Sequence, residues 1–106
     1  MDPSNQSEAG VLLDQLLESL LADFEHWFQR GNELLRFCPD DVMGKTERDL
    51  LAARLMEGQK AIVATRSLVK ASSQPMAVSM GAMSPWHGLV TEVWGLAAKL
   101  AVDRRS

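Results

Sequence analysis

Between about Glu8 and Phe37 the apolar residues recur with the period of an α-helix, and this long pattern fixes most of what the chain can become. At about 100° per residue, Leu12, Leu13, Leu16, Leu17, Leu20, Leu21, Phe24, Trp27 and Phe28 fall within half the circumference, and Asp14, Gln15, Glu18, Asp23, Glu25, His26, Gln29 and Arg30 take the other half. Such a split defines an amphipathic helix with one wide face to bury. Pro39 ends it, because proline biases Cys38 out of helical geometry. Residues 1–7 read as a flexible tail ahead of this helix.

Two further helices supply the cover. Gly44 marks a turn, and Thr46 with Asp49 three residues on suggests a capping box for a second helix over about 47–71. Leu51, Leu55, Ile62 and Val69 line its stripe, with Thr65 inside it and Gly58 small enough to admit a neighbouring helix closely. Residues 72–83 form a linker rich in methionine: Met76, Met80 and Met83. Ser84 and Pro85 then read as cap and first residue of a third helix over about 85–104. Trp86, Leu89, Val90, Val93, Trp94, Leu96, Ala97, Leu100 and Ala101 share its face. No segment has the period of a strand. The expected fold is all-α, an antiparallel bundle of about three helices forming one domain over residues 8–106.

Charge narrows the partners. The 106 residues carry a formal charge of -3, with a pI near 5.3. An acidic chain lacks the basic face that displaces phosphate counterions, so nucleic acid is not an expected partner. No apolar run approaches the ~20 residues that span a bilayer, and the acidic polar face of the first helix suits an anionic membrane surface poorly. Cys38 is the single cysteine and cannot form an internal disulfide, which fits a cytoplasmic setting.

Groups with chemistry are few. His26, with Asp23 one turn before it, lies on the polar face and makes at most half a metal site. His87 lies along one helix edge with Trp94, as a recognition patch or as packing at the core boundary. Cys38 reads as a buried, inert thiol, Arg36 being its nearest candidate for a positive neighbour. The linker methionines fold over the bundle end, form an adaptable binding patch, or offer thioethers to copper(I). Arg54 sits amid the apolar stripe of the second helix and must find a carboxylate, with Asp23 and Glu92 the candidates. Met56 and Val63 make a minor second seam on that helix. No phosphate loop, Cys-x-x-Cys pair or nucleophile elbow occurs, so neither enzyme activity nor a cofactor is expected.

Two segments, Leu20–Arg30 with Leu34 and Leu35, and Met83–Trp94, resemble a family of short uncharacterised cyanobacterial proteins. The shared features are an Asp-Phe…Trp-Phe helix (Asp23, Phe24, Trp27, Phe28, Arg30) and a Pro-Trp-His-x-Leu-Val-Thr-Glu helix (Pro85, Trp86, His87, Leu89 to Glu92, then Trp94). The resemblance implies a cyanobacterial cytoplasmic protein and carries no activity across. Core packing accounts for the apolar motif residues but not for Asp23, Arg30, Thr91 and Glu92.

The first helix is also longer than the third, so its apolar face extends past its partners, to be covered by the tail and linker or by another chain. The expected function is therefore a non-enzymatic protein-interaction or assembly module, with another protein as partner and self-association open. Its candidate contacts are His87, Thr91, Glu92, Trp94, Met76, Met80 and Met83. The alternative is a ligand-binding or enzymatic pocket near Trp86, His87 and Glu92.

Overall fold

A computed structural model of the chain describes the backbone of residues 3–71 and 80–105, and the side chains of 8–71 and 83–103. Three helices account for nearly all of it: α1 (Pro3–Arg36), α2 (Lys45–Ala71) and α3 (Met80–Arg105). There is no strand among the described residues. The chain runs up, down and up: α1 packs against both α2 and α3, and the seam between α2 and α3 is the slimmest. The fold is the all-α bundle that the hydrophobic period implies.

The helix ends differ from the sequence reading, each for a local reason. Helix α1 begins at Pro3, inside the segment read as a tail; proline at a first helical position has no N–H to leave unpaired. At α2, Gly44 rather than Thr46 is the cap, since its carbonyl accepts the first helical bond from the Arg48 N–H at 2.9 Å. The Thr46–Asp49 capping box does not form; Asp49 pairs instead with Lys45 Nζ at 3.1 Å. Helix α3 starts at Met80, so the last residues of the expected linker are helical and Pro85 lies inside the helix. Pro85 forfeits one backbone bond there, but the extra turn carries Met83 into the core at 4% exposure.

The core collects Leu17, Leu21, Phe24 and Phe28 from α1, Leu51, Leu55 and Ile62 from α2, and Met83, Trp86, Leu89, Val90, Val93 and Leu96 from α3. Two glycines set how closely the helices approach. A Cβ on Gly58 would lie 2.6 Å from Phe28 Cε2, and one on Gly31 would lie 2.7 Å from Val93 Cγ2 and 2.9 Å from Leu55 Cδ1. Each glycine therefore receives side chains from both other helices, Gly58 meeting Leu89 as well as Phe28. By contrast Gly95, on α3, has nothing within 4 Å of its Cβ position. Gly95→Ala is expected to raise stability by about 0.5–1 kcal/mol through helix propensity, read from the shift in a urea midpoint; a loss there would contradict the open surroundings.

Polar contacts fix the register. Arg66 of α2 reaches across to two carboxylates seven residues apart on α1, Glu25 at 2.7 Å and Glu18 at 3.0 Å. Its hydrogen bond to Glu25 heads the causes that push the Arg66 pKa above its already high value. A cation whose folded pKa is raised contributes stability below the unfolded value and loses it only as pH rises through the folded one, which lies beyond any working pH. Arg66→Ala should therefore cost about 1 kcal/mol at neutral pH, and less in high salt; a urea titration at two salt concentrations checks both parts. Asn32 Nδ2 also donates to Gln59 Oε1 at 3.3 Å, further along the same seam.

At the α1–α2 turn, Arg48 donates to the Cys38 carbonyl at 2.7 Å and pairs with Asp40. Cys38 is buried. Burial pushes its thiol above the ordinary value near 9.0, and Arg48, rather than Arg36, is the cation that pulls it back in part. The folded chain thus keeps this proton to higher pH than the unfolded chain, so the associated stability is complete at neutral pH and is lost as pH rises past about 9. Cys38 should react slowly with a disulfide reagent at pH 8 and quickly in denaturant; equal rates would mean that the turn does not enclose it.

Candidate functional site

Helix α1 outruns its neighbours. Arg66 lies level with Glu18 and Glu25, so α2, which ends at Ala71, stops near Leu16. Helix α3 begins six residues before Trp86, whose ring packs on Phe24 at 5.5 Å, so it starts level with Glu18. About 13 residues of α1, or ~20 Å at 1.5 Å per residue, therefore extend beyond both other helices. On this projection Leu12, Leu13 and Leu16, expected to be buried, are exposed at 59%, 43% and 69%.

The apolar row does not stop there. Leu13, Leu20, Trp27 and Leu34 recur every seven residues, which holds them on one edge of α1. Leu20, Trp27 and Leu34 are partly buried against the core. Trp27 meets Trp94 of α3 edge-on at 5.7 Å, and Trp94 is half exposed. Further along, Leu34 and Phe37 border a groove of ≈ 480 Å³ whose far wall is Ala97, Leu100 and Ala101 of α3. Phe37 is 81% exposed. The outer seam between α1 and α3 is thus an apolar strip, bordered at the groove by Arg30, Glu33 and Asp103 and most exposed towards its two ends.

The residues singled out by sequence are not gathered in one place. Trp94 lies on this seam. His87 is exposed and packs on Phe24 at 4.9 Å, not on Trp94. Thr91 is exposed, with its hydroxyl donating to the His87 carbonyl at 3.0 Å. Glu92 turns to the opposite side of α3, where it holds Arg54 through two contacts of 2.7 and 2.9 Å. Both partners of that pair are about half exposed, so Arg54 stands at the edge of the core rather than within it, and Asp23 takes no part. Met83 is a core residue and unavailable to a partner. Met76 lies outside the described residues, as does the side chain of Met80.

The pocket envisaged around Trp86, His87 and Glu92 is not assembled. A shallow depression of ≈ 410 Å³ does touch Trp86, Arg54 and Gly58, but His87 points to α1 and Glu92 to α2. Among the described residues no group of three or more His, Cys, Asp or Glu is placed to hold a metal ion, and none of their helices is long and apolar enough to cross a membrane. Met56 and Val63 are both exposed on the outer face of α2, flanking a shallow groove. Sequence reasoning missed Phe37, Arg66 and Gly31. The signal for Gly31 was present, as a glycine one turn after Phe28 on the core stripe.

Fold and seam together define a small up-down-up helical domain with an overhanging first helix. The chain belongs to the family described as Protein of unknown function (DUF2605), whose model matches residues 7–102. No curated protein and no solved structure matches it.

Proposed function

We propose that this protein is a non-enzymatic interaction and assembly module that docks through the outer seam of α1 and α3. The observation carrying this reading is the exposed leucine cluster Leu12, Leu13 and Leu16, which continues an apolar row that α3 only half covers. Leaving such a row in water is costly, and contiguous exposed apolar surface marks interaction sites in stable proteins. Catalysis has less support, since His87 and Glu92 are turned to different helices and neither faces a candidate nucleophile. The resemblance to cyanobacterial proteins supports a cytoplasmic setting in such cells, with photosynthetic or carbon-fixation machinery as the first place to look for a partner.

The reading is tested by native pull-down from source cells with the wild-type chain and with Leu12→Glu/Leu16→Glu. Both positions are exposed, so the variant is expected to fold and to lose a protein that the wild type retains. Capture that is identical for both chains would move the docking surface elsewhere, and no capture with a monomeric chain would sink the reading.

A further inference from the structure

Resting on that reading, we infer that the occupant of the seam is a second copy of this chain, lying antiparallel to the first across a two-fold axis near Trp27. The seam has the features of one half of a helix pair. Its seven-residue spacing is that of a coiled-coil edge. At one end it offers projecting leucines, Leu13 and Leu16, and at the other a groove beside Phe37. An antiparallel two-fold brings each end of one copy to the opposite end of the other, so projection meets groove twice.

Charge selects the same orientation. The carboxylate beside the seam is Asp23, since Glu18 and Glu25 are held by Arg66 on the α2 side. A parallel pair would set Asp23 against its equal. The antiparallel pair sets it against the half of α1 that holds Arg30. The register then settles a pair that the isolated chain leaves open. If Leu16 lies opposite Phe37 of the second copy, Asp23 lies opposite Arg30 of that copy, and the symmetry makes each contact twice. Asp23 is exposed and has no ion pair among the described residues, while Arg30 meets Glu33, one turn away, in an exposed pair at 3.1 Å. An exposed pair of that kind contributes little and is readily exchanged.

The area is sufficient. The exposed fractions of Phe37 and Trp94 amount to roughly 250 Å² of aromatic surface, taking 150–250 Å² per ring. The projecting leucines supply a comparable area. With the partly exposed Leu20, Trp27, Leu34 and Leu100 between them, the strip approaches the ~800 Å² per partner of a stable interface.

The test uses the purified full chain and its mass in solution at micromolar concentration. The wild type is expected at about twice the 11.7 kDa of one chain. Leu16→Glu and Phe37→Lys, both at exposed positions, should each weaken self-association by about 100-fold, because symmetry buries the new charge twice, while leaving the helical circular dichroism unchanged. Mixing the two variants should restore a dimer, since the mixed pair has one native Leu16–Phe37 contact and one Glu–Lys contact. Asp23→Arg should weaken the dimer, and Asp23→Arg/Arg30→Asp in one chain should restore it. A wild-type monomer overturns the proposal, as does a dimer that survives Leu16→Glu or a mixture that fails to pair. A monomer that still captures a specific foreign protein overturns the dimer alone and leaves the interaction-module reading standing.

Discussion

Phe28→Ala is expected to remove about 4 kcal/mol of stability, the largest loss of any single truncation in this chain. Phe28 is fully buried, with its ring edge against the bare backbone of Gly58 and its face tilted to Phe24 at 6.3 Å. Truncating a buried phenylalanine costs about 3–5 kcal/mol, and the cost rises when the walls cannot relax into the void. Here they are poorly able to do so. Gly58 has no side chain to swing in, and one turn along, Val93 and Leu55 already press against Gly31. A domain of this size has only about 5–15 kcal/mol in hand, so the melting temperature should fall by roughly 15–25 °C. Thermal and urea unfolding followed by circular dichroism measure this directly. A loss below about 1 kcal/mol would mean that α1 and α2 do not close on this ring.

How far the sequence could foretell this arrangement depended on whether the cause was local. The stripes of the three helices were legible because helical period is a property of consecutive residues, and Leu21, Phe24, Leu55, Ile62 and Val93 all occupy the core that period implies. The excess length of α1 was legible too, but not which leucines it leaves uncovered, since Leu12, Leu13 and Leu16 share the period of the buried face. The start of α3 was not. Ser84 and Pro85 carry a strong local signal for a helix start, and burial of Met83 one turn upstream overrides it. The pairing of Arg54 was narrowed to two carboxylates, and which one it meets depends on the rotation of α3 about its own axis. Arg66 went unnoticed because Glu18 and Glu25 become its partners only once α1 and α2 are in register. Phe37 closes the helical pattern in sequence, but α1 stops at Arg36, and the ring is left in water beside the groove.

Substitutions at Gly58 should show the same closeness from the other side. Alanine there brings two opposed effects. Helix propensity favours it by about 1 kcal/mol, but its Cβ would stand 2.6 Å from Phe28 Cε2, 3.1 Å from Cδ2 and 3.3 Å from Leu89 Cδ1. The Phe28 ring is wholly enclosed and has nowhere to retreat, and overpacking of this kind costs about 1–3 kcal/mol. Gly58→Ala should therefore destabilise by roughly 1 kcal/mol net. Gly58→Val adds two more methyl groups against the same ring and should lose about 3 kcal/mol or more. Gly95→Ala, with the same propensity gain and no neighbour, should move the other way. The cause is isolated by repeating Gly58→Ala in a Phe28→Leu background: a smaller, more flexible side chain can yield, and the cost should shrink by about 1 kcal/mol, the coupling expected of touching residues. If the two substitutions instead add without coupling, or if Gly58→Ala stabilises as much as Gly95→Ala, the three helices do not meet at Gly58 as closely as these distances require.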